Sequence, residues 1–179
     1  PNVIKLQEFM ELIHIISNND NTIGINIELP LPLNYRNYQT EIFLKINRFK
    51  DIDCLNPINY YEFLEKDKNK LDDIIIPSVA NSVKIMMDYY DINYNKKDIV
   101  ILGNSLYTGF SIAALFLKFD STVYLFNKHT RDIKSKSIIG DILVSATGVI
   151  NLVDKNYIKE GACVIDVGFE VYNNKIYGD

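Results

Sequence analysis

Residues 99–117, IVILGNSLYTGFSIAALFL, place two glycines where a chain could meet a phosphate. An apolar run rises into Gly103, a short polar loop follows, and a second apolar run begins after Gly109. Strand, glycine turn and helix in that order is the arrangement that cradles a dinucleotide phosphate, because glycine permits the tight turn and helix N–H groups face the anion. In a G-x-G-x-x-G fingerprint the middle glycine would stand where this chain has Ser105. A helix over 109–119 is expected to point its first N–H groups at the phosphate. Gly148 and Gly168 each follow an apolar run and are expected at strand-to-turn exits lining the crevice at the strand C-termini, although plain turn geometry would require them equally.

Other reactive side chains are scattered. His14 and His129 are isolated, and Cys54 and Cys163 lack C-x-x-C spacing, so no metal cluster can be assembled and two reduced intracellular thiols are favoured over a disulfide. The formal net charge of −4 argues against a generic nucleic-acid surface. Apolar residues make up 47% of the chain, enough for an ordinary folded core, yet no apolar stretch approaches the ~18 residues of a membrane span. The chain starts at Pro1, without the basic and apolar layout of a signal peptide, so processing or truncation upstream is expected. Enrichment in Ile, Asn, Lys, Asp and Tyr is a compositional bias that fills the surface with Asn and Lys, and such runs carry little functional signal.

The elements that would hold these residues alternate along the chain. Residues 4–17 have helical spacing, with Asn18–Asn21 as a polar stop. GINIELPLP reads as a strand with Ile25, Ile27 and Leu29 on one face, ended by Pro30 and Pro32. TEIFLKINRF (40–49) reads as a helix with Thr40 as N-cap, EKDKNKLDD (65–73) as a solvated loop, and a helix is expected from about Ser78. From Lys97 onward DIVILG, STVYLFN, GDILVSAT and ACVIDVGF read as strands. GFSIAALFLKF is a helix between the first two, RDIKSKSII a short helix or turn, and DKNYIKEG a short helical turn. Consecutive apolar strands joined by crossovers imply a parallel sheet covered on both faces.

Four blocks in order carry a family resemblance. INIELPLP is similar to a V-Q-L-P-L-P strand and loop, and FKDIDCLNPIN to K-D-V-D-G-x-x-x-x-N. IVILGNSLYTGFS is similar to V-V-I-G-R-S-x-x-V-G-x-P, and YIKEGACVIDVGFE with its following GD to W-I-K-x-G-A-x-V-I-D-V-G-I-N and G-D. Over nearly its whole length the chain resembles the methylenetetrahydrofolate dehydrogenase/cyclohydrolase family. The resemblance implies an α/β fold: a Rossmann-like parallel-sheet NAD(P)-binding domain over 82–179, lacking its C-terminal return helix, and a partial α/β folate-binding catalytic domain over 1–81. It also implies oxidation of methylene-tetrahydrofolate with NADP or NAD, hydrolysis of the methenyl product, and a homodimer or larger assembly in cytosol or mitochondrion. Hydride transfer itself asks only that folate carbon and nicotinamide be held face to face.

Within that resemblance Glu28 stands for the family's Gln and Asp53 for its pterin-facing Asp, with Ile27 and Leu29 beside the folate. Ser105 matches the family's G-R-S loop, while Asn104 replaces its Arg and Ser111 its Pro. Asn127-Lys128-His129-Thr130 replaces H-S-x-T, so Lys128 could restore the charge lost at Asn104, or be merely solvated like Lys50. Cys54 replaces a glycine, Pro77–Ser82 keeps only the first proline of P-C-T-P-x-G, and Phe169 replaces an Ile near the nicotinamide, where its bulk is expected to obstruct. The family's catalytic Tyr-x-x-x-Lys is not in this chain, and Tyr124–Lys128 matches its spacing at the end of a cofactor-domain strand only by coincidence. Glu28 adds negative charge where a neutral amide is expected. Asp53 could instead cap a turn. A catalytically impaired homologue with an assembly role is the first expectation, because groups acting as a unit fail together. A working dehydrogenase/cyclohydrolase whose ends lie outside this chain is the alternative, and a dinucleotide-sensing module without chemistry the third.

Overall fold

The computed structural model describes residues 4–173 and 175–179, so the expectation resting on Pro1 lies outside the described residues. The chain divides between Ser78 and Val79 into two compact units.

The first unit is mostly helical: α1 (Leu6–Ser17), α2 (Gln39–Phe43) and α3 (Pro57–Glu65), with 3₁₀ turns at Leu33–Tyr38 and Lys68–Asp73. Asn18 ends α1 as expected, its amide donating to the His14 carbonyl at 2.9 Å. Ile13, Leu31, Ile42, Phe43, Ile46, Leu55 and Phe63 form the interior. Burial of each such side chain contributes about 1.5–3 kcal/mol.

Several expectations are corrected here. GINIELPLP makes one parallel bridge, Ile25 to Asp51, rather than a strand, because nothing further in the described unit supplies a ladder. Ile25 and Ile27 are buried but Leu29 turns outward, where the chain passes through a cis Leu29–Pro30 bond. Thr40 is not a cap: the helix there starts at Gln39, directly after a 3₁₀ turn, and stops at Phe43. The charged stretch 65–73 is largely solvated as expected but is not a plain loop, since Asp67 caps a 3₁₀ turn that buries Leu71. Lys50 is not simply solvated either, its ammonium reaching the Asn19 carbonyl at 2.8 Å.

Asp51 is the knot of this unit. Its carboxylate is 1% exposed and accepts from the backbone N–H of Leu55 (3.0 Å) and Asn56 (2.9 Å), and from the Asn59 amide (2.8 Å). Asn56 in turn caps α3 through Ile58 N–H and ties back to the Ile46 carbonyl at 2.8 Å. The K-D-x-D spacing is therefore partly structural: Asp51, not Asp53, does the capping, which leaves Asp53 half-buried and aside from that work.

The second unit holds α4 (Ser78–Tyr89), β1 (Asp98–Leu102), α5 (Ser111–Leu117), β2 (Thr122–Phe126), α6 (Ile133–Ser137), β3 (Ile142–Ser145) and β4 (Cys163–Asp166). The four strands form one parallel sheet in the order β2-β1-β3-β4. A run of residues without exposure, Ile99 to Leu102, is what a central strand covered on both faces requires. Val100 and Leu102 pack with Leu143 and Tyr157 on one face. Ile101 faces the other way, against Gly109. DKNYIKEG forms a turn, with Tyr157 N–H donating to the Asp154 carbonyl, and a hairpin not expected from sequence, β5 (Glu170–Tyr172) with β6 (Lys175–Tyr177), follows the sheet. No helix among the described residues is long and apolar enough to cross a membrane.

Asp51→Ala leaves three buried donors unsatisfied and is expected to destabilise the protein by more than about 3 kcal/mol, read by urea denaturation. A milder effect is expected at Asp141, whose carboxyl is held below the ordinary 3.8 by Lys159 at 2.7 Å and by the Asp98 N–H. A depressed folded-state value adds stability that is complete above the unfolded value and lost as pH falls through the folded one. The melting-temperature gap between the native protein and Asp141→Asn is thus expected to be full near neutrality and to close well below pH 3.8.

Candidate functional site

Register sets the site. Leu102 pairs with Phe126 on one side and Ser145 on the other, so three parallel strands end level. Gly103 N–H donates to the Phe126 carbonyl and Ala146 N–H to the Leu102 carbonyl, both at 2.8 Å. The loops leaving β1, β2 and β3 therefore start side by side. The chain runs from β1 outward to β2 and then back across to β3, the reversal at which open α/β sheets bind ligands.

A cleft of about 720 Å³ opens there, within the second unit. Gly103, Asn104 and Ser105 line it from β1, Lys128, His129 and Thr130 from β2, and Thr147 and Val149 from β3. Five of the expected cofactor residues, Gly103, Asn104, Ser105, Lys128 and Thr130, thus share one cavity. The β2 turn is fixed by its own polar groups: Asn127 N–H donates to Thr130 Oγ1 (3.0 Å) and His129 N–H to Asn127 Oδ1 (2.9 Å).

The remaining expected residues act differently. Gly109 does not line the cleft. It lies buried under it, where an added Cβ would overlap the Gly103 carbonyl oxygen. The helix does not open at 109 either: a π turn spans Leu106–Phe110, and Phe110 N–H is already engaged by the Ser105 carbonyl at 3.0 Å. The backbone that lines the cleft after β1 is therefore the loop 103–105, not the start of a 109–119 helix. Gly148 and Gly168 are absent from the lining and pack against each other, a Cβ on Gly168 falling 2.7 Å from Gly148 N. Phe169 is 64% exposed and outside the cleft, so the expected obstruction is not seen there.

In the first unit Ile27 is a core residue, Glu28 and Leu29 are exposed, and Asp53 is half-buried two residues beyond the Ile25–Asp51 bridge. Cys54 adopts φ 58°, the left-handed region that suits the glycine of the resembled motif. Its thiol is wholly buried, donates to the Ile75 carbonyl at 3.2 Å, and is pushed far above the ordinary thiol range by burial first and by Asp51 and Asp53 next. It is not a nucleophile. Both cysteines are free, and among the described residues no His, Cys, Asp and Glu group could hold a metal.

Residues that sequence reasoning left without a role complete the cleft. Tyr157, from the Y-I-K-E-G-A block, is buried at its base under the Lys134 ammonium, 5.1 Å from the ring centre. Lys134 is paired with Asp154 at 2.8 Å, a hydrogen bond that raises the lysine and lowers the aspartate. The closing G-D also has a function: Asp179 accepts from Ser145 Oγ (2.6 Å) and Val153 N–H (2.7 Å), while its own N–H donates to Asp166 Oδ2 (2.7 Å). That clasp ties the ends of β3 and β4 to the segment bearing Leu152, another lining residue. Side-chain spacing alone gave no signal for it, since the partners are up to 34 residues apart.

Comparison with known proteins decides the family. Residues 77–179 match the family model "Tetrahydrofolate dehydrogenase/cyclohydrolase, NAD(P)-binding domain". The chain belongs to the tetrahydrofolate dehydrogenase/cyclohydrolase family. It is 34% identical over its full length to the "Bifunctional protein FolD" of Aquifex aeolicus and 37% identical to that of a Sulfurihydrogenibium species. It spans 60% and 61% of the length of those two relatives. Among solved structures, the FolD enzyme from Campylobacter jejuni superposes with a TM-score of 0.86 at 30% identity, over 98% of this chain and 61% of that one. The Trypanosoma brucei enzyme, solved with NADP and an inhibitor, gives 0.85 at 28% identity, again over 98% and 61%. The parallel sheet is thus the Rossmann-like NAD(P)-binding domain of this family.

Gly109→Ala is expected to cost on the order of 3 kcal/mol, because the new methyl meets rigid backbone rather than a movable side chain. Thermal denaturation of the single variant reads it.

Proposed function

We propose that this chain is the cofactor-binding portion, and part of the folate-binding portion, of an NAD(P)-dependent methylenetetrahydrofolate dehydrogenase with methenyltetrahydrofolate cyclohydrolase activity. The observation that carries the reading is the cleft at the level ends of β1, β2 and β3, lined by Gly103, Asn104, Ser105, Lys128 and Thr130. These residues fit a dinucleotide. The loop 103–105 brings backbone close to a phosphate, Lys128 offers positive charge, and Val149 and Leu152 offer apolar surface.

Bound NAD(P) supplies the hydride acceptor. The chain's own residues orient and exclude: the strand ends fix the cofactor's position, and Tyr157 and Leu152 keep the base of the cleft dry. Asp53, freed from capping by Asp51, is available to accept hydrogen bonds from the N–H groups of a pterin. Its neighbour Cys54 keeps the loop in the left-handed conformation, so the replacement of glycine leaves the path of the backbone in place.

An impaired homologue retained for assembly is the second reading, and Glu28 is the observation that favours it. Its carboxylate stands exposed where the resembled motif has a neutral amide. Phe169 lends that reading no support from this cleft, being exposed and not among its lining residues.

The test is an assay of the whole protein containing this chain, following NADP reduction driven by methylene-tetrahydrofolate. Turnover is expected, and Asp53→Ala is expected to raise the folate KM about tenfold or more while leaving NADPH affinity in place. Tight NADPH binding without any folate-dependent reduction would favour the impaired reading instead.

A further inference from the structure

We propose that Lys134 and Asp154 are positioning residues for the cofactor: their ion pair fastens two separate crossovers into one cleft base; the inference rests on the cofactor reading above. That base is assembled from segments that no strand pairing joins. Ile133, the first residue of α6, lines it from the β2–β3 crossover, and Leu152 and Tyr157 line it from the β3–β4 crossover. The second segment is held by several bonds. Val153 N–H donates to Asp179, Asn156 N–H to Asp154 Oδ1 (2.8 Å), and Tyr157 N–H to the Asp154 carbonyl (2.9 Å). The first segment is held less firmly. α6 has five residues, begins after Asp132 at φ 53°, and has no side-chain cap. A helix so short has little stability of its own, so its place depends on what it is fastened to.

Lys134 supplies that fastening. Its ammonium meets Asp154 Oδ2 at 2.8 Å and lies 5.1 Å from the centre of the Tyr157 ring, which is 3% exposed. One side chain of α6 therefore holds both the acid that shapes the 154–157 turn and the aromatic ring that the turn delivers to the cleft. Ile133 packs on the core cluster that contains Tyr157, so the apolar and polar ties coincide. A second ion pair between the same crossovers, Lys159 to Asp141 at 2.7 Å, stands just before β3, at the opposite end of the strand from the cleft. Only the Lys134 pair is at the ligand's end. Both of its partners are about half exposed, so it adds little to the stability of the fold. Its effect belongs to the site: a base already in place spares the ligand the cost of ordering it.

Fluorescence titration of the full chain with NADH and with NADPH tests this. Lys134→Ala and Asp154→Asn, the second of which keeps the turn, are each expected to weaken both dinucleotides by about two- to fivefold, through faster release, at nearly unchanged melting temperature. The double variant should bind no more weakly than the worse single one, because both break the same tie. Lys134→Arg, which keeps the charge, should retain the native affinity. Asp141→Asn, which breaks the distant pair, should leave both affinities as they are. Were Lys134 instead a charge that attracts the phosphates, the two single variants would act in opposite directions, since removing the acid frees the lysine. That result would overturn the proposal. Unchanged affinities, additive losses in the double variant, or an equal loss in Asp141→Asn would overturn it as well, while the cofactor reading stands. Failure of the native chain to bind either dinucleotide would overturn the cofactor reading and this inference with it.

Discussion

The carbonyl of Gly103 lies against the Cα of Gly109, and the cofactor unit is built around that contact. It lets the helical segment after β1 begin immediately beneath the strand's end instead of a side chain's width away. The same glycine, at φ 103°, passes so close to Ala146 that a side chain would overlap its carbonyl oxygen. Two close approaches of backbone to backbone thus leave the space above β1 open while filling the space below it. A dinucleotide site needs that combination: a dry, rigid base and a loop with nothing projecting from it.

Polar clasps rather than apolar contacts secure the loops around this space. Asn127 and Thr130 close the turn after β2, and Asp179 with Asp166 ties the ends of β3 and β4 to residue 153. Each replaces water around backbone N–H groups that the ends of parallel strands would otherwise leave unpaired. In the first unit Asp51 does the same for the turn into α3, which explains why two aspartates stand two residues apart with only one of them free for a ligand. The cleft itself carries little charge: Lys128 is the one Lys, Arg, Asp or Glu side chain among its described lining residues.

Much of the second unit was legible in the sequence, since fully apolar runs of five or so residues between glycines and helical segments have few other solutions. The first unit was less so. GINIELPLP has the alternation of a strand, but alternation records only which side chains are buried, and a strand also needs a neighbour to pair with. Leu29 was misplaced for that reason. Phe169 was expected to crowd the cofactor because its place in the motif is near the ring. Which way a loop side chain turns is decided by what packs beside it, and the motif does not contain that information.

By itself the sequence determined the parallel sheet, the glycine loop, the family blocks and the candidates Asp53, Ser105 and Lys128, because these depend on residue type and local spacing. Only the tertiary structure decided that Gly109 supports the loop from below, that Asp51 rather than Asp53 is the capping acid, that Asp179 braces the sheet, and that Lys128 has no ion-pair partner among the described residues. Those facts are relations between segments tens of residues apart, and a hydrogen bond or a steric overlap exists only once folding has brought both partners to the same place.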